Sequence, residues 1–380
     1  MDFELSADQV ALRDAAASLL DDMCPTTRVR DVAGTDRHLD DALWGAMAEQ
    51  GWPAVERSSG DGGLGLGLVE VAVLCEQLGR HLAPVPFAGT VVAHGALAAA
   101  VAASVTEAKD RTGLGDTDLR GWAQRLSAGE ATGAVAWSRT VDAMRARRDG
   151  DGPWRLTGRS DPVVDGPMAD VLVVFATADG VPALFALAAE DGARPGDEPA
   201  MDRTRALGWL ELDDRPASWL GDDRAADAVL DRAVSAVCAE MLGAADVVLA
   251  MTVQYAKDRV QFGRPIGGFQ AVKHRCADML VDVEGMRSAA YYAAWAVGAG
   301  DPEASAAASA AKVWCSDAAR RVMASGLQVH GGIGFTWEHD LHLFLKRSQL
   351  DQVTFGDAAH HRERIARTLR ARAEAGLPVL

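Results

Sequence analysis

Residues 255–279 read YAKDRVQFGRPIGGFQAVKHRCADM, and the fold follows from how this stretch is taken. Tyr255 to Arg259 closes an apolar-periodic run that begins near Ala225. Gly263-Arg264-Pro265-Ile266-Gly267-Gly268 then sets a proline and three glycines within six residues, which a helix cannot traverse. Beyond it Phe269, Val272, Cys276, Met279 and Leu280 recur at helical spacing. The pattern predicts two long helices joined by a rigid corner that holds Arg259, Phe262 and Gln270. Such a corner suits a polyanionic ligand, because a guanidinium forks onto phosphate oxygens.

Downstream, helices are predicted over Phe269–Ala299, Pro302–Gly326, about Leu341–Leu350 and near Ala358–Ala375. With Ala225–Val260 they form an antiparallel bundle over residues 223–380. Upstream, the period changes. Ala134–Trp137, Trp154–Leu156, Val171–Phe175, Ala183–Leu187 and Trp209–Leu212 read as short strands, separated by turns such as Asp149-Gly150-Asp151-Gly152. They predict a small antiparallel barrel or sandwich over 128–222, with Arg215-Pro216 to Asp223 as the connection out. Residues 1–127 are again helical. Ser6 caps a first helix, Asp41 to Glu49 is a second carrying Trp44, and Leu68 to Leu78 is a third closed by Gly79. The fold class is α+β, mostly α. Between the second and third of these helices lies GDGGLGLG over 60–67, either a phosphate cradle or a structural loop.

The 380 residues carry a net charge of -16, which argues against nucleic acid and against an anionic membrane surface. No apolar run reaches the roughly 18 to 20 residues of a membrane helix. Met1-Asp2-Phe3-Glu4 is no secretory leader, so the expected location is cytoplasmic. Cys24, Cys75, Cys238, Cys276 and Cys315 form no CxxC pair and read as reduced core residues. His274 reads as solvated, and His360-His361 matches no metal-ligand spacing, so no metal is expected.

A second motif is Gln328-Val329-His330-Gly331-Gly332-Ile333-Gly334-Phe335. Paired glycines let a ligand approach the main chain and expose its N–H groups. A plain helix cap with a glycine turn fits equally well.

Arg259-x-x-Phe262-Gly263 with Gln270 eleven residues past the Arg resembles the flavin-binding hairpin of the acyl-CoA dehydrogenases. The order of a helix, GWPAVERSSGDGGLGLG over 51–67 and a helix ending EQLGR resembles their N-terminal domain. The resemblance covers essentially the whole chain. It implies that Arg259, Phe262, Gln270, Gln328, Gly331 and Gly332 contact the pyrophosphate and adenosine of an FAD held mainly by a neighbouring subunit.

The same resemblance exposes losses. The family's proton-abstracting Glu stands in a Glu-Gly pair before the last helix, where this chain has Phe355-Gly356. An alternative family position falls near Ala233. Asp231, Glu240 and Asp357 are nearby acids, of which Asp231 and Asp357 are candidate bases and Glu240 reads as a bundle contact. The family's Trp-Ile-Thr strand behind the flavin ring is replaced around Pro162 and Val164, and its Gly-rich loop by Ala136-Trp137-Ser138-Arg139-Thr140. These changes imply a non-catalytic subunit of an α2β2 acyl-CoA dehydrogenase, lending its contacts to a catalytic homologue's FAD. An acyl-CoA is then the substrate of the complex and an electron-transfer flavoprotein its acceptor. Degradation of a sterol side chain follows by analogy with actinobacterial enzymes. The alternatives are a self-sufficient homotetramer with a relocated base, and a homologue that binds a thioester or a protein without chemistry.

Overall fold

A computed structural model describes residues 4–104, 118–150, 152–190 and 192–376. Met1 to Phe3 and Asp151 of the stretches above lie outside them. Among the described residues, six α-helices come first: α1 Ala7–Met23, α2 Thr26–Ala33, α3 Asp41–Glu49, α4 Leu68–His81, α5 Phe87–Ser104 and α6 Leu119–Ser127. Ser6 caps α1 through a reciprocal pair with Gln9, as its sequence predicts. Gly79 does not close α4, which runs on to His81. A β-carbon at Gly79 would collide with the Glu240 carbonyl, and one at Gly243 with the Glu76 carbonyl. The glycine is thus needed for a close helix crossing and not for a cap. GDGGLGLG is a loop containing a short 3-10 turn, Ser59–Asp61.

Nine strands follow: β1 Gly133–Ala136, β2 Met144–Arg148, β3 Trp154–Arg159, β4 Val163–Val164, β5 Val171–Ala178, β6 Val181–Ala188, β7 Gly196–Asp197, β8 Leu207–Trp209 and β9 Glu211–Gly221. Pairings β5–β2, β2–β3, β3–β9, β9–β6 and β6–β5 return to their starting strand, so these five close a small barrel. All are antiparallel except β2–β5, and β1 also joins β5 in parallel. Strands β4, β8 and β7 make a separate antiparallel sheet. Residues 215–221 are not a connection. They lie inside β9, with Arg215 opposite Leu156 and Pro216 opposite Arg155, and the register shifts just beyond, between Leu156 and Gly158. In the barrel, Trp154 stacks on Trp219 at 5.3 Å and Phe185 meets both rings edge-on.

The rest is helical: α7 Asp223–Asp258, α8 Gln270–Gly298, α9 Ala304–His330, α10 Leu341–Val353 and α11 Ala358–Glu374. A minimal hairpin, β10 Val260–Gln261 with β11 Arg264–Pro265, joins α7 to α8. Helix α7 is long and apolar enough to cross a membrane, contrary to the expectation that no run is. But 67% of its most apolar window is buried in the fold, so that apolarity belongs to the core.

By packing, the chain forms two compact units. One comprises Met1–Arg30, Leu68–Ala83 and Val234–Leu380; the other comprises Asp31–Gly67 and Pro84–Ala233. The expected segments 1–127, 128–222 and 223–380 follow changes of secondary structure instead. In the first unit, α4, α7, α8, α9 and α10 share buried polar ties. Arg347, wholly buried on α10, pairs with Glu240 on α7. Tyr291 Oη donates to Glu76 at 2.6 Å, and Arg287 donates to the same carboxylate at 2.6 Å. Lys312 on α9 is fully buried and donates to the Asp351 carbonyl.

Candidate functional site

The corner that opens the sequence reading sits at the end of α7. Arg259 N–H donates to the Tyr255 carbonyl at 2.9 Å, and Ile266 N–H donates to the Arg259 carbonyl at 2.8 Å. The main chain at Arg259 is thereby fixed from both sides, while the residue itself is exposed. Phe262, at the hairpin tip, has φ +53 and is 93% exposed. A left-handed backbone at a bulky residue costs about 1 kcal/mol, and water gains nothing from an exposed ring. Phe262 meets Phe269 edge-on at 6.1 Å, and the Arg264 guanidinium lies 4.1 Å over the Phe269 ring. Phe269 precedes Gln270, which is exposed on the first turn of α8.

Gln328 is exposed on the last turn of α9, which runs past Gly326 to His330. Gly331 ends the helix at φ +64, ψ −141, a conformation open essentially to glycine. Gly332 needs no such freedom, and a β-carbon there would meet nothing within 4 Å. Its main chain faces open space, and Ile333, Phe335 and Trp337 beyond it are exposed apolar residues, the last two at 72% and 71%.

One contact brings the motifs together, and the sequence reading did not single it out. Tyr255 on α7 stacks on His330 on α9, with ring centroids 4.6 Å apart. Arg259 lies one turn past Tyr255, and Gly331 directly follows His330, so the two helix ends are neighbours. Tyr255 stands four residues before Arg259, on the same face of α7; that spacing was the available signal. His330 Nδ1 lies 2.8 Å from the Gly326 carbonyl, and its Nε2 is buried without a hydrogen-bond partner among the described residues. Burial lowers the ring's pKa against the pull of that carbonyl, so His330 is neutral at physiological pH.

The acids considered as bases are engaged elsewhere. Asp357 caps α11 by accepting the His360 N–H at 2.8 Å. Glu240 holds Arg347 in the bundle, as the sequence reading expects. Asp231 is buried on α7 and engaged within the protein. Phe355 takes φ +58 before Gly356, and its carbonyl lies 2.9 Å from His361 Nε2.

The segments matching the family's flavin-ring cradle bind each other. Asp161 N–H donates to Ser138 Oγ at 2.8 Å, and Asp161 Oδ2 accepts the Arg139 N–H at 2.9 Å. Val163-Val164 is strand β4, and Asp165, at φ +58, pairs with buried Arg205 at 3.0 Å.

Residues 6–115 match the family model "Acyl-CoA dehydrogenase, N-terminal domain" and residues 224–370 match "Acyl-CoA dehydrogenase, C-terminal domain". Acyl-CoA dehydrogenase IpdE2 of Mycobacterium tuberculosis is 35% identical over 338 residues, 89% of either chain. Among solved structures, one described as a Tcur3481-Tcur3483 steroid ACAD variant matches with a TM-score of 0.86 and 30% identity, covering 97% of this chain and 99% of that one. The ChsE4-ChsE5 complex from Mycobacterium tuberculosis matches with a TM-score of 0.86 and 29% identity over the same shares. On both the matched domains and the whole-length likeness, this chain belongs to the acyl-CoA dehydrogenase family, a family of oxidoreductases.

Proposed function

We propose that this chain is the non-catalytic subunit of an FAD-dependent acyl-CoA dehydrogenase built with a catalytic homologue. In that role Arg259, Phe262, Gln270, Gln328, Gly331 and Gly332 receive the pyrophosphate and adenosine of the partner's FAD. The observation that carries the reading is the contrast between the two sets of family positions. Of those facing a neighbour's dinucleotide, Arg259, Phe262, Gln270, Gln328 and Gly332 are exposed, while those that would face a flavin ring are closed on one another.

The residues at the corner fit the group. Arg259 presents an exposed guanidinium on a fixed main chain, and phosphate oxygens take such a fork bidentately. The Gly331 N–H is spent on the Leu327 carbonyl, and Gly332 beyond it leaves room for close approach of a ligand to the main chain. Phe262 offers a face to an adenine or ribose edge. When bound, FAD supplies the acceptance of a β-hydride. Removal of the α-proton needs a carboxylate beside the substrate, and Phe355 cannot provide one. That task falls to the partner. The exposed Phe262, Phe335 and Trp337 form the kind of apolar rim that a partner subunit covers.

The likeness to a steroid enzyme and to a two-component complex supports a steroid-derived acyl-CoA as the substrate and an α2β2 assembly; the acceptor proposed with them, an electron-transfer flavoprotein, rests on the family resemblance alone. The deciding measurement is flavin absorbance. Purified alone, the chain should hold little FAD and oxidise no acyl-CoA. Co-purified with a catalytic homologue, it should hold about one FAD per two chains. Full activity of the chain alone would overturn the proposal.

A further inference from the structure

The corner that carries Arg259 and the turn that carries Gly332 belong to two different helix ends. Arg259 is anchored to α7 by its main chain, and Gly331 ends α9. Hydrogen bonds along each helix leave the gap between the two ends free. The helices approach closely at Gly326, where an added β-carbon would lie 2.8 Å from Val248 Cγ1 and 3.1 Å from Thr252 Oγ1. One turn further towards the ends, Tyr255 and His330 meet as stacked rings, with 4.6 Å between centroids and 23° between planes.

The His330 ring is held from several sides. Its Nδ1 lies 2.8 Å from the Gly326 carbonyl, so Nδ1 carries the proton, because a carbonyl only accepts. Tyr255 covers one face, and His339 meets the ring at a steep angle, 4.7 Å between centroids. A β-carbon on Gly334 would lie 3.1 Å from His330 Cβ, so the turn after Gly331 closes over it as well. Its Nε2 is buried and has no hydrogen-bond partner among the described residues. Of groups that can carry charge, α7 brings Tyr255 and, within a turn, Asp258 and Arg259. The segment before α10 brings His339 and Asp340, while the 331–335 turn and the last turn of α9 before His330 bring none. Asp258 is exposed and accepts from Gln254 at 2.8 Å, and Asp340 pairs with Arg30 at 2.7 Å. No carboxylate bonds to the ring, and burial keeps it neutral.

We propose that Tyr255 and His330 are positioning residues for the dinucleotide, their stack setting the distance between the Arg259 guanidinium and the main chain at Gly332. Two flat rings in contact admit few spacings, which suits that task. The role rests on the corner being an FAD contact. It also has a consequence that a plain spacer lacks. A pyrophosphate on Arg259 and Gly332 brings negative charge towards an imidazole whose Nε2 lone pair is vacant. Such charge favours the imidazolium, and the Tyr255 face holds a cation as well as a neutral ring. FAD binding therefore raises the proton affinity of His330. Affinity for FAD is level above the bound-state pKa of the ring. It rises as pH falls from there to the free-state value, which lies below the ordinary 6.5, by at most about tenfold per pH unit.

The test uses the two-component complex and reads FAD released on dilution by flavin fluorescence, at about pH 8 and about pH 6. Tyr255→Leu and His330→Leu should each weaken FAD roughly threefold to tenfold. Tyr255→Phe keeps the ring and should retain FAD as the wild type does. His330→Phe keeps a ring without a nitrogen. It should match the wild type at the higher pH and lose the gain of roughly twofold or more that the wild type shows at the lower one. Combined with Arg259→Ala, Tyr255→Leu should cost less than the two separate losses together. If the leucine variants do not fold, the two phenylalanine variants decide. Unchanged retention in Tyr255→Leu, full additivity with Arg259→Ala, or an equal pH response in His330→Phe and wild type would each overturn the positioning role. If any of these occurs while Arg259→Ala still loosens FAD, the flavin contact stands without it; if Arg259→Ala changes nothing, the flavin reading itself fails.

Discussion

The corner at the end of α7 and the loops around Ser138 and Asp161 are both surface features of one polypeptide, yet they treat their polar and aromatic groups in opposite ways. At the corner, Phe262 is held in a left-handed backbone with its ring in water, and Gly332 leaves its main chain open. Around Asp161, donors and acceptors are matched within the loops themselves. A surface that answers to an outside ligand shows itself by what it leaves unsatisfied. A surface without one settles its hydrogen bonds at home.

The strongest attack on this contrast is at Glu240. Glu240→Ala strands buried Arg347 and should cost about 3–5 kcal/mol, read as a fall in Tm. Lost turnover with unchanged stability would instead make Glu240 a catalytic base. Arg259→Ala should leave Tm almost unchanged and cost about 2 kcal/mol in FAD retention by the two-component complex. If retention is unaffected, the corner is not a flavin contact. Acid should weaken both units. Burial holds His361 at about 3 and His94 at about 4, below their unfolded value of 6.5. Stability is therefore full above about pH 6.5 and declines as pH falls towards the folded values, by at most about 1.4 kcal/mol per pH unit for each ring. Denaturant melts across that window check the sign, and His361→Gln should flatten the slope. Asp357→Ala removes a helix cap and should cost about 1 kcal/mol by thermal melting, without changing activity of the complex. Phe355→Glu should produce no turnover in the isolated chain, since the ring cradle is absent as well; measurable acyl-CoA oxidation would erase the contrast.

Much of this architecture was legible because the bundle helices carry an apolar face over many turns. Helices α7, α8, α10 and α11 lie within about three residues of their predicted ends, and only α9 runs further. Shorter elements were not. Strand β2 reads MRARR, whose outward arginines drown the signal of buried Met144 and Ala146. Helix α2, TTRVRDVA, is short and largely polar. Gly79 and Gly326 read as stops, yet each faces another helix: Gly79 the Glu240 main chain, and Gly326 the Val248 and Thr252 side chains. Pro216 reads as a break, yet it sits inside a long strand, in register opposite Arg155. The residues proposed as flavin contacts all come from local motifs, because their spacing lies within one corner or one helix end. The Tyr255–His330 stack was not named. It joins residues far apart in sequence, and no local pattern records such a meeting.

The paired notch at Gly79 and Gly243 has a bearing on how the protein could change over time. Two rods whose peptide planes touch have no slack: even a single methyl group at either position must push one rod outward along its length. Neither residue contacts any ligand proposed above, so a screen for activity would give no reason to look there. A saturation library should nevertheless find these two silent positions among the least forgiving in the chain, while the conspicuous loop carrying Phe262 tolerates replacement as long as folding alone is scored.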